Sequence, residues 1–318
     1  MTRRFVAVLL VLAAWVAGTV AGSLGGTPAA ASSPGIVIGK AHAAEYTPSL
    51  TGSKPIVILA VGSGARPGED VLHSLSDSIH LIFLNPDKHA GTIVGIPRDS
   101  WVDIPGQGSN KINSALAAGG PDLMVQTIEA RFGVHIDYWA ITTFWGFQGM
   151  IDQIGGLVVN VPFRMYDLPY SGADLHAGVQ RLRGSQALAM ARDRHSLLAG
   201  DFGRQEDGGR LILAALTQFE KEFNADPSSL FRWIGAGMTR MNTSLTVDDV
   251  MLLAYTATAQ PVGKIQNIVL PGSSQTIGGL SAVALNDTAV SQIFRDVTPD
   301  GIMSKKNVPP SPTANQPR

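Results

Sequence analysis

Short hydrophobic runs separated by Gly, Pro and Asn clusters indicate the strands in the central part of the chain. Residues 56–61 form a continuous apolar run after Pro55, which is typical of a strand buried on both faces. Residues 78–84 and 92–96 are two further apolar runs joined by a polar turn, and they predict an antiparallel pair. Further strands are predicted at residues 138–142, 157–161 and 265–270.

Helical spacing of apolar residues, with start and stop signals, predicts the helices. Pro121 suits the first turn of a helix over residues 121–132, and a glycine pair ends the helix over 144–154. A stripe of Leu, Ile and Phe predicts a helix over 210–223. Other helices are predicted at 184–192, 227–238, 246–259 and 286–297, and a long loop at 163–183. Because strands and helices alternate, we expect an α/β fold, an αβα sandwich whose central mixed sheet is covered by helices on both faces.

The two ends of the chain differ in composition from this folded part. Arg3 and Arg4 precede an apolar run over residues 5–20 and then small residues, which is the pattern of an export signal. The run is at the lower limit for a membrane span, so residues 1–22 are either a cleaved signal peptide or a transmembrane anchor. Residues 23–54 are predicted to be a flexible linker, residues 55–300 the folded domain, and residues 301–318 a disordered, proline-rich tail.

Composition narrows the classes of function. The 318-residue chain has a net charge of −1, so no overall basic field favours nucleic acid, and any phosphate site must be local. It has no cysteine, which excludes disulfides, thiolate metal sites and a cysteine nucleophile.

The segment over residues 191–205, ARDRHSLLAGDFGRQ, is the strongest candidate for such a local site. Arg192, Arg194 and Arg204 occur there together with His195 and Asp201, in a chain with only 15% charged residues. A guanidinium binds phosphate oxygens in a bidentate manner, so the cluster points to a phosphate-rich ligand. The alternative is a solvated loop held by surface ion pairs.

Three blocks in order carry a resemblance to a known family. They read SLSDSIHLIFLNPD, GTIVGIPRDSWVDIPGQGSNKINSALAAGGPDLMVQTIE and GVQRLRGSQALAMARDRHSLLAGDFGRQ. Their order and spacing resemble the LytR-CpsA-Psr family of cell-wall glycopolymer transferases, over residues 55–220. The resemblance implies an extracytoplasmic enzyme that moves a glycopolymer from a polyprenyl-pyrophosphate carrier to peptidoglycan, with Mg²⁺, by a phosphotransferase-type reaction. A pyrophosphatase side activity is also implied, and DNA binding is not expected.

The resemblance also assigns roles to individual residues. Asp77 and Arg98 match positions of the catalytic site, and Asp77 is the expected magnesium ligand. Those expected to bind the pyrophosphate are Arg66, Lys111, Arg192, Arg194 and Arg204. Supporting positions are expected at Asn113, Asp201 and Gln205. His195 has no role that the resemblance singles out, and it is interpreted as a polar loop residue.

The chain departs from the family pattern at two places. Gly64 stands where the family has an acid in Gly-x-Asp-x-Arg, which weakens the expected magnesium site. Asp207, Gly208 and Gly209 stand where the family tends to have Arg-Gln-Gln. Two other functions therefore stay open: a degenerate homologue that binds polyprenyl-phosphate lipids or wall polymer without turnover, and a regulator of envelope stress.

Overall fold

The structure, a computed structural model, describes residues 36–42, 54–238, 241–243, 245, 249 and 264–316. Its strands are β1 (Ile36–Lys40), β2 (Ile56–Ser63), β3 (Ser76–Asn85), β4 (Ala90–Gly95), β5 (Trp101–Ile104), β6 (Gly108–Lys111), β7 (Tyr138–Thr143), β8 (Leu157–Val161), β9 (Met165–Asp167), β10 (Ala173–Leu175), β11 (Gly178–Leu182), β12 (Met241–Thr243), β13 (Ile265–Val269), β14 (Gly272–Ile277) and β15 (Leu280–Leu285). Its helices are α1 (Ser114–Phe132), α2 (Phe144–Gln153), α3 (Gly184–Arg192), α4 (Asp201–Ala225), α5 (Ser229–Met238) and α6 (Asp287–Val297).

A seven-stranded sheet forms the centre of the described residues, in the order β12-β1-β7-β2-β3-β4-β13. The predicted pair β3 and β4 is antiparallel, as are β2 and β3, whereas β2 pairs with β7 and β4 with β13 in parallel. The sheet is therefore mixed, as predicted. Strand β2 is apolar on both faces because a helical layer covers each of them.

Helices cover the sheet on both faces, which confirms the αβα sandwich. On one face α1 and α6 pack together, with Phe132 stacked on Phe294 at a centroid distance of 4.7 Å. On the other face α4 packs on β3, β4 and β13. Helix α1 is kinked at Gly119 and Gly120, and Gly120 has a positive φ of 66°, so the regular part begins at Pro121 as predicted.

The structure differs from the sequence prediction at residues 163–183. They form not a long loop but two short antiparallel pairs, in which β9 pairs with β10 and β11 with β8. Met165, Ala173 and Leu175 are buried there, in a second core shared with α3. The alternation in these strands covers only three to five residues, which is too short a pattern to separate a strand from a loop in the sequence.

The two segments predicted to be unstructured contain ordered residues. Ile36–Lys40, inside the predicted linker, forms β1 and pairs with β7 and β12. Residues 311–316, inside the predicted tail, pack against α4: the Thr313 hydroxyl donates to Glu206 Oε2 at 2.5 Å and Ser311 donates to Glu206 Oε1 at 2.6 Å. These segments gain order from tertiary hydrogen bonds, which composition does not reveal.

Two further predictions fall on residues that lie wholly or mostly outside the described ranges. Residues 1–22 lie outside the described residues, and so does most of the predicted helix over 246–259. Among the residues described, every helix is too short or too polar to cross a membrane.

Candidate functional site

A cavity of about 300 Å³ lies where the sheet meets the ends of several helices. Asp77 is in the first part of β3, Arg98 follows β4, Arg192 ends α3 and Arg204 is in the first turn of α4. The lining residues are Asp77, Arg98, Phe144, Tyr170, Arg192, Arg194, His195 and Arg204. The fold thus brings five of the predicted site residues into one cavity, from three separate parts of the sequence.

The Asp77 carboxylate and the Arg98 guanidinium form the centre of this cavity. Arg98 Nη1 donates to Asp77 Oδ1 in a short ion pair. Arg98 Nε lies 3.9 Å from Asp99 Oδ2 and 3.8 Å from Asp201 Oδ1, yet it has no hydrogen-bond partner among the described residues. A buried donor without a partner is costly, and such groups concentrate where a ligand binds.

Arg204 is the most enclosed of the four arginines, with only 7% of its surface exposed. Its Nε and Nη2 donate to Asp201 Oδ1 at 2.9 Å and 2.6 Å, and its Nη1 donates to the Asp77 carbonyl at 2.6 Å. These bonds leave Arg204 little freedom. Its position therefore fixes the backbone of Asp77 relative to α4 and adds a positive charge to the cavity wall.

Arg192 and Arg194 have a different environment. They alternate across Asp193, whose extended backbone (φ −64°, ψ 129°) leads away from α3. The Arg192 guanidinium lies 5.1 Å from the centre of the Phe144 ring, a cation–π contact. Within the described part of the chain, neither arginine has a carboxylate within ion-pair distance. No surface ion pair to a described residue therefore holds either side chain, and both guanidiniums are available to an anion.

The cavity is electrically positive, because four arginines and one carboxylate line it. In a partly enclosed site these charges are screened less than at the surface. The arrangement suits a ligand with several closely spaced anionic oxygens, such as a pyrophosphate.

The remaining predicted site residues lie around the cavity rather than in its wall. Lys111 Nζ is 3.1 Å from Asp99 Oδ1, and so holds a carboxylate beside Arg98. Asn113 is buried; its N–H donates to the Arg98 carbonyl and its carbonyl accepts from Ser76 N–H, both at 3.1 Å. These bonds join the segments that carry Asp77 and Arg98.

Gln205 and Arg66 complete the set. Gln205 is 1% exposed, and its carbonyl oxygen accepts from His80 Nε2 at 2.9 Å, whereas both polar atoms of its side chain lack a partner among the described residues. Arg66 is exposed in the turn after β2, and its N–H donates to Glu69 Oε2. The structure does not place Arg66 in the cavity wall.

Three cavity residues were not in the predicted set: Phe144, Tyr170 and His195. His195 Nδ1 lies 3.1 Å from Asp167 Oδ2, and the Tyr170 ring lies 4.3 Å from the imidazole. Burial alone raises the pKa of Asp167, but hydrogen bonds from His195 and Ser171 outweigh it and hold the pKa below its usual range. No sequence motif indicates this contact, because it depends on the hairpin that replaces the predicted loop.

Carboxylate oxygens near Asp77 fit a magnesium ion. Mg²⁺ is bound in proteins through one or two carboxylates together with phosphate oxygens and water. Asp77 Oδ1 pairs with Arg98, whereas Oδ2 faces Gly64, where an added Cβ would lie 2.9 Å from it. Asp201 Oδ2 is buried and has no partner in the described part of the chain. Because an acid at position 64 would sit directly against Asp77, Gly64 removes one possible ligand and leaves Asp77.

A second group of possible metal ligands, His42, Glu129 and His135, lies at the opposite end of β7. The two imidazoles stack in parallel, with a centroid distance of 4.8 Å and an interplanar angle of 12°. One ion cannot lie in both ring planes. Glu129 Oε1 instead accepts from His42 Nε2 at 3.0 Å and from Ile136 N–H at 2.8 Å, so the group holds the end of β1 against α1.

A model of the LytR_cpsA_psr family matches residues 31–298. The polyisoprenyl-teichoic acid–peptidoglycan teichoic acid transferase TagU of Bacillus mycoides is 40% identical over 210 residues, which cover 64% of this chain and 65% of that protein, slightly less than two thirds of its length. TagU of Oceanobacillus iheyensis is 29% identical over 248 residues, covering 76% of this chain and 74% of that protein.

Solved structures show the same fold. B. subtilis TagV has a TM-score of 0.66 and 24% identity, covering 80% of this chain and 100% of that chain. A structure of the LytR-CPS2A-psr family protein YwtF (TagT) with bound octaprenyl pyrophosphate lipid has a TM-score of 0.62 and 22% identity, covering 82% of this chain and 95% of that chain.

Proposed function

Since the chain belongs to the LytR-CpsA-Psr family, we propose that it transfers a glycopolymer from a polyprenyl-pyrophosphate carrier to peptidoglycan, outside the cytoplasm. The observation that carries the proposal is the cationic cavity, in which Arg192 and Arg194 have no carboxylate partner among the described residues and line the same space as Asp77 and Arg98. Similar proteins are named as teichoic acid transferases, and one is solved with a prenyl pyrophosphate. These similarities support the same class of substrate here.

The reaction is a phosphoryl transfer, and the residues of the cavity have separate tasks in it. A hydroxyl oxygen of the acceptor forms a bond to the phosphorus that carries the glycan. The bond from this phosphorus to the bridging oxygen breaks, and polyprenyl phosphate leaves with the electron pair. Negative charge develops on the leaving phosphate, and Arg98, Arg192 and Arg194 stabilise that charge electrostatically.

Asp77 is the residue that would hold Mg²⁺, together with oxygens of the pyrophosphate. The bound ion would supply charge neutralisation at the phosphates. Arg204 and Lys111 hold other residues of the site in position. Arg204 donates to the Asp77 carbonyl, and Lys111 holds Asp99 beside Arg98. The N-terminal segment, residues 1–22, exports the domain, and it is then cleaved or remains as an anchor.

The test is a transfer assay with the full chain in detergent. The substrate is a polyprenyl-pyrophosphate-linked oligosaccharide, with peptidoglycan fragments as acceptor, and polyprenyl phosphate and the glycosylated product are quantified with and without Mg²⁺. We expect turnover by the wild type, at least about tenfold less in Arg192→Ala, and no change in Arg295→Ala, on the exposed side of α6. No binding of the lipid by the wild type would overturn the proposal.

A second function has one observation in its favour. Gly64 removes the carboxylate that the family pattern places against Asp77, which weakens magnesium binding and favours a protein that binds the lipid without turnover. Gly64→Asp separates the two functions. A wild type that binds the lipid but is inactive, with activity gained in Gly64→Asp, would identify a binding protein. Wild-type turnover that is lost in Arg192→Ala would identify the transferase.

A further inference from the structure

We infer that His195, held by Asp167, is the general base that takes the proton from the acceptor hydroxyl. The inference rests on the proposed function, since it concerns the transfer reaction in the same cavity. Neither the position of His195 within residues 191–205 nor any motif assigns it this task. The contact with Asp167 and the position of the imidazole in the cavity wall carry the inference.

The hydrogen bond between the two side chains determines which nitrogen is basic. His195 Nδ1 is 3.1 Å from Asp167 Oδ2, and the Asp167 side chain is only 3% exposed. An ionised carboxylate only accepts hydrogen bonds, so in the neutral imidazole the proton resides on Nδ1. The lone pair is then on Nε2, which has no hydrogen-bond partner among the described residues. Nε2 is thus the atom that can accept a proton.

Both partners are held in position by their surroundings. The Asp167 carbonyl accepts from the N–H groups of Ser171 and Gly172 at 3.1 Å and 3.0 Å, which fixes the turn after β9. Tyr166 N–H donates to Ser196 Oγ at 2.8 Å, so the neighbours of Asp167 and His195 are also joined. A base that is oriented in advance loses less freedom when the acceptor binds.

His195 is more accessible to an incoming acceptor than the carboxylate in the same cavity. Asp77 Oδ1 is bound by Arg98 Nη1 and Oδ2 faces Gly64, whereas His195 Nε2 has no hydrogen-bond partner among the described residues. His195 is 41% exposed, which allows a large acceptor to approach, while Tyr170 covers one side of the ring. The charged groups that share the cavity with the imidazole are Asp77, Arg98, Arg192, Arg194 and Arg204.

The proton transfer balances the reaction. As the acceptor oxygen bonds to the glycan-bearing phosphorus, its proton moves to His195 Nε2, and the electron pair of the broken P–O bond leaves with polyprenyl phosphate. The imidazolium, with its charge stabilised by Asp167, then releases the proton to water. Neither an oxidant nor a further reactant is needed.

The pH dependence of kcat tests the assignment. In the wild type kcat should fall on the acidic side, because protonated His195 cannot accept a proton. In His195→Gln kcat should be about 10²-fold lower, and the acidic limb should disappear. Asp167→Asn keeps an acceptor oxygen but removes the charge that stabilises the imidazolium, so kcat should fall less and the acidic limb should move.

Matched measurements separate failure of this inference from failure of the proposed function. His176→Gln is the control, because His176 is exposed between β10 and β11 and outside the cavity wall. The lipid Kd of His195→Gln should match that of the wild type, which also reports that the variant is folded. An active wild type whose kcat and acidic limb are unchanged in His195→Gln would overturn the role of His195. A wild type without any turnover would overturn the proposed function instead.

Discussion

The four arginines of the cavity differ in what holds them. Arg204 is buried and makes three hydrogen bonds to Asp77 and Asp201, whereas Arg192 and Arg194 are bound by no carboxylate in the described part of the chain. An arginine of the first kind stabilises the folded site, and arginines of the second kind are available to the ligand. Substitution of each kind should therefore change a different measured quantity.

Arg194→Ala should weaken the binding of a polyprenyl pyrophosphate by about ten- to a hundredfold in Kd, because a charge-assisted hydrogen bond contributes about 1.5–3 kcal/mol. The free energy of unfolding should be unchanged. Isothermal titration calorimetry and chemical denaturation of the same variant measure the two quantities. A Kd equal to that of Arg295→Ala would show that Arg194 does not contact the ligand.

Arg204→Ala, unlike Arg194→Ala, should lower the free energy of unfolding. Asp201 would keep a partly buried carboxylate without its main partner, and breaking a buried pair costs about 3–5 kcal/mol. We expect the denaturation midpoint to drop markedly, with Arg204→Lys recovering part of it. A midpoint like that of the wild type would mean that water replaces the guanidinium without loss.

The sequence alone predicted five of the residues that line the cavity, but not His195, the proposed general base. Asp77, Arg98 and the three arginines of residues 191–205 belong to local motifs, so their types and spacing are visible in the chain. The pairing of His195 with Asp167 joins residues from different elements. It forms because the hairpin of β9 and β10 folds back to the arginine segment, which no periodicity in the chain indicates.

At the scale of elements, two glycines let α4 lie directly on the sheet. A Cβ on Gly209 would overlap the Asn267 side chain of β13, and one on Gly208 would lie 2.7 Å from His80 Cε1 of β3. Asn267 Nδ2 donates to the Glu206 carbonyl at 2.8 Å across this contact. The glycines that weaken a helix in isolation thus permit its close packing here.

Gly209→Ala should lower the free energy of unfolding by about 1–3 kcal/mol, because the added methyl group has no space beside Asn267. The double variant Gly209→Ala with Asn267→Ala should recover part of the loss. Thermal denaturation of the two single variants and the double variant measures the coupling. Strictly additive effects would argue against the contact.

A second element-scale prediction concerns residues 311–316. Thr313→Val removes the hydroxyl that donates to Glu206 and accepts from Arg210 Nη2 at 3.0 Å, and it should cost about 1–3 kcal/mol. Leu198 N–H, which donates to Gln316 Oε1 at 2.8 Å, should exchange with solvent faster. Hydrogen–deuterium exchange measures this. Thr276→Val, exposed on β14, is the control and should change neither quantity.

The elements predicted from the sequence were those with their own periodicity. The buried strands and the helix at Gly184–Arg192 carry enough apolar residues to indicate their type. Helix α4 begins at Asp201, before the predicted residue 210, because contacts with the sheet stabilise a glycine-containing first part. Strand β1 and residues 311–316 depend on partners elsewhere in the chain, so their local sequence contains too little information.

At the scale of the whole molecule, two buried groups make the free energy of unfolding depend on pH in opposite directions. Burial raises the pKa of Asp207 to about 7, although Arg210 Nη1 lies 2.5 Å from its carboxylate. Stability from Asp207 is therefore present at low pH and is lost as pH rises through 7. Burial lowers the pKa of His80 to about 4, so its contribution is present above pH 6.5 and is lost as pH falls through 4.

Asp207→Asn should reveal the contribution of His80. The wild type should have a nearly level free energy of unfolding between pH 4 and 6.5, as far as these two groups determine it. In the variant this free energy should rise with pH over the same interval, by at most ~1.4 kcal/mol per pH unit. Urea denaturation at a series of pH values measures the slopes. Parallel curves for both proteins would contradict the raised pKa of Asp207.

The contact of Gly209 with Asn267 also limits how this sequence can change over evolutionary time. A relative with glutamine at the position of Gly209 needs space that Asn267 occupies here, so a single replacement passes through a destabilised form. The two positions should therefore vary together among homologues, with a large residue at one and a small residue at the other. A replacement at Gly209 alone therefore lowers stability unless the residue at position 267 becomes smaller as well.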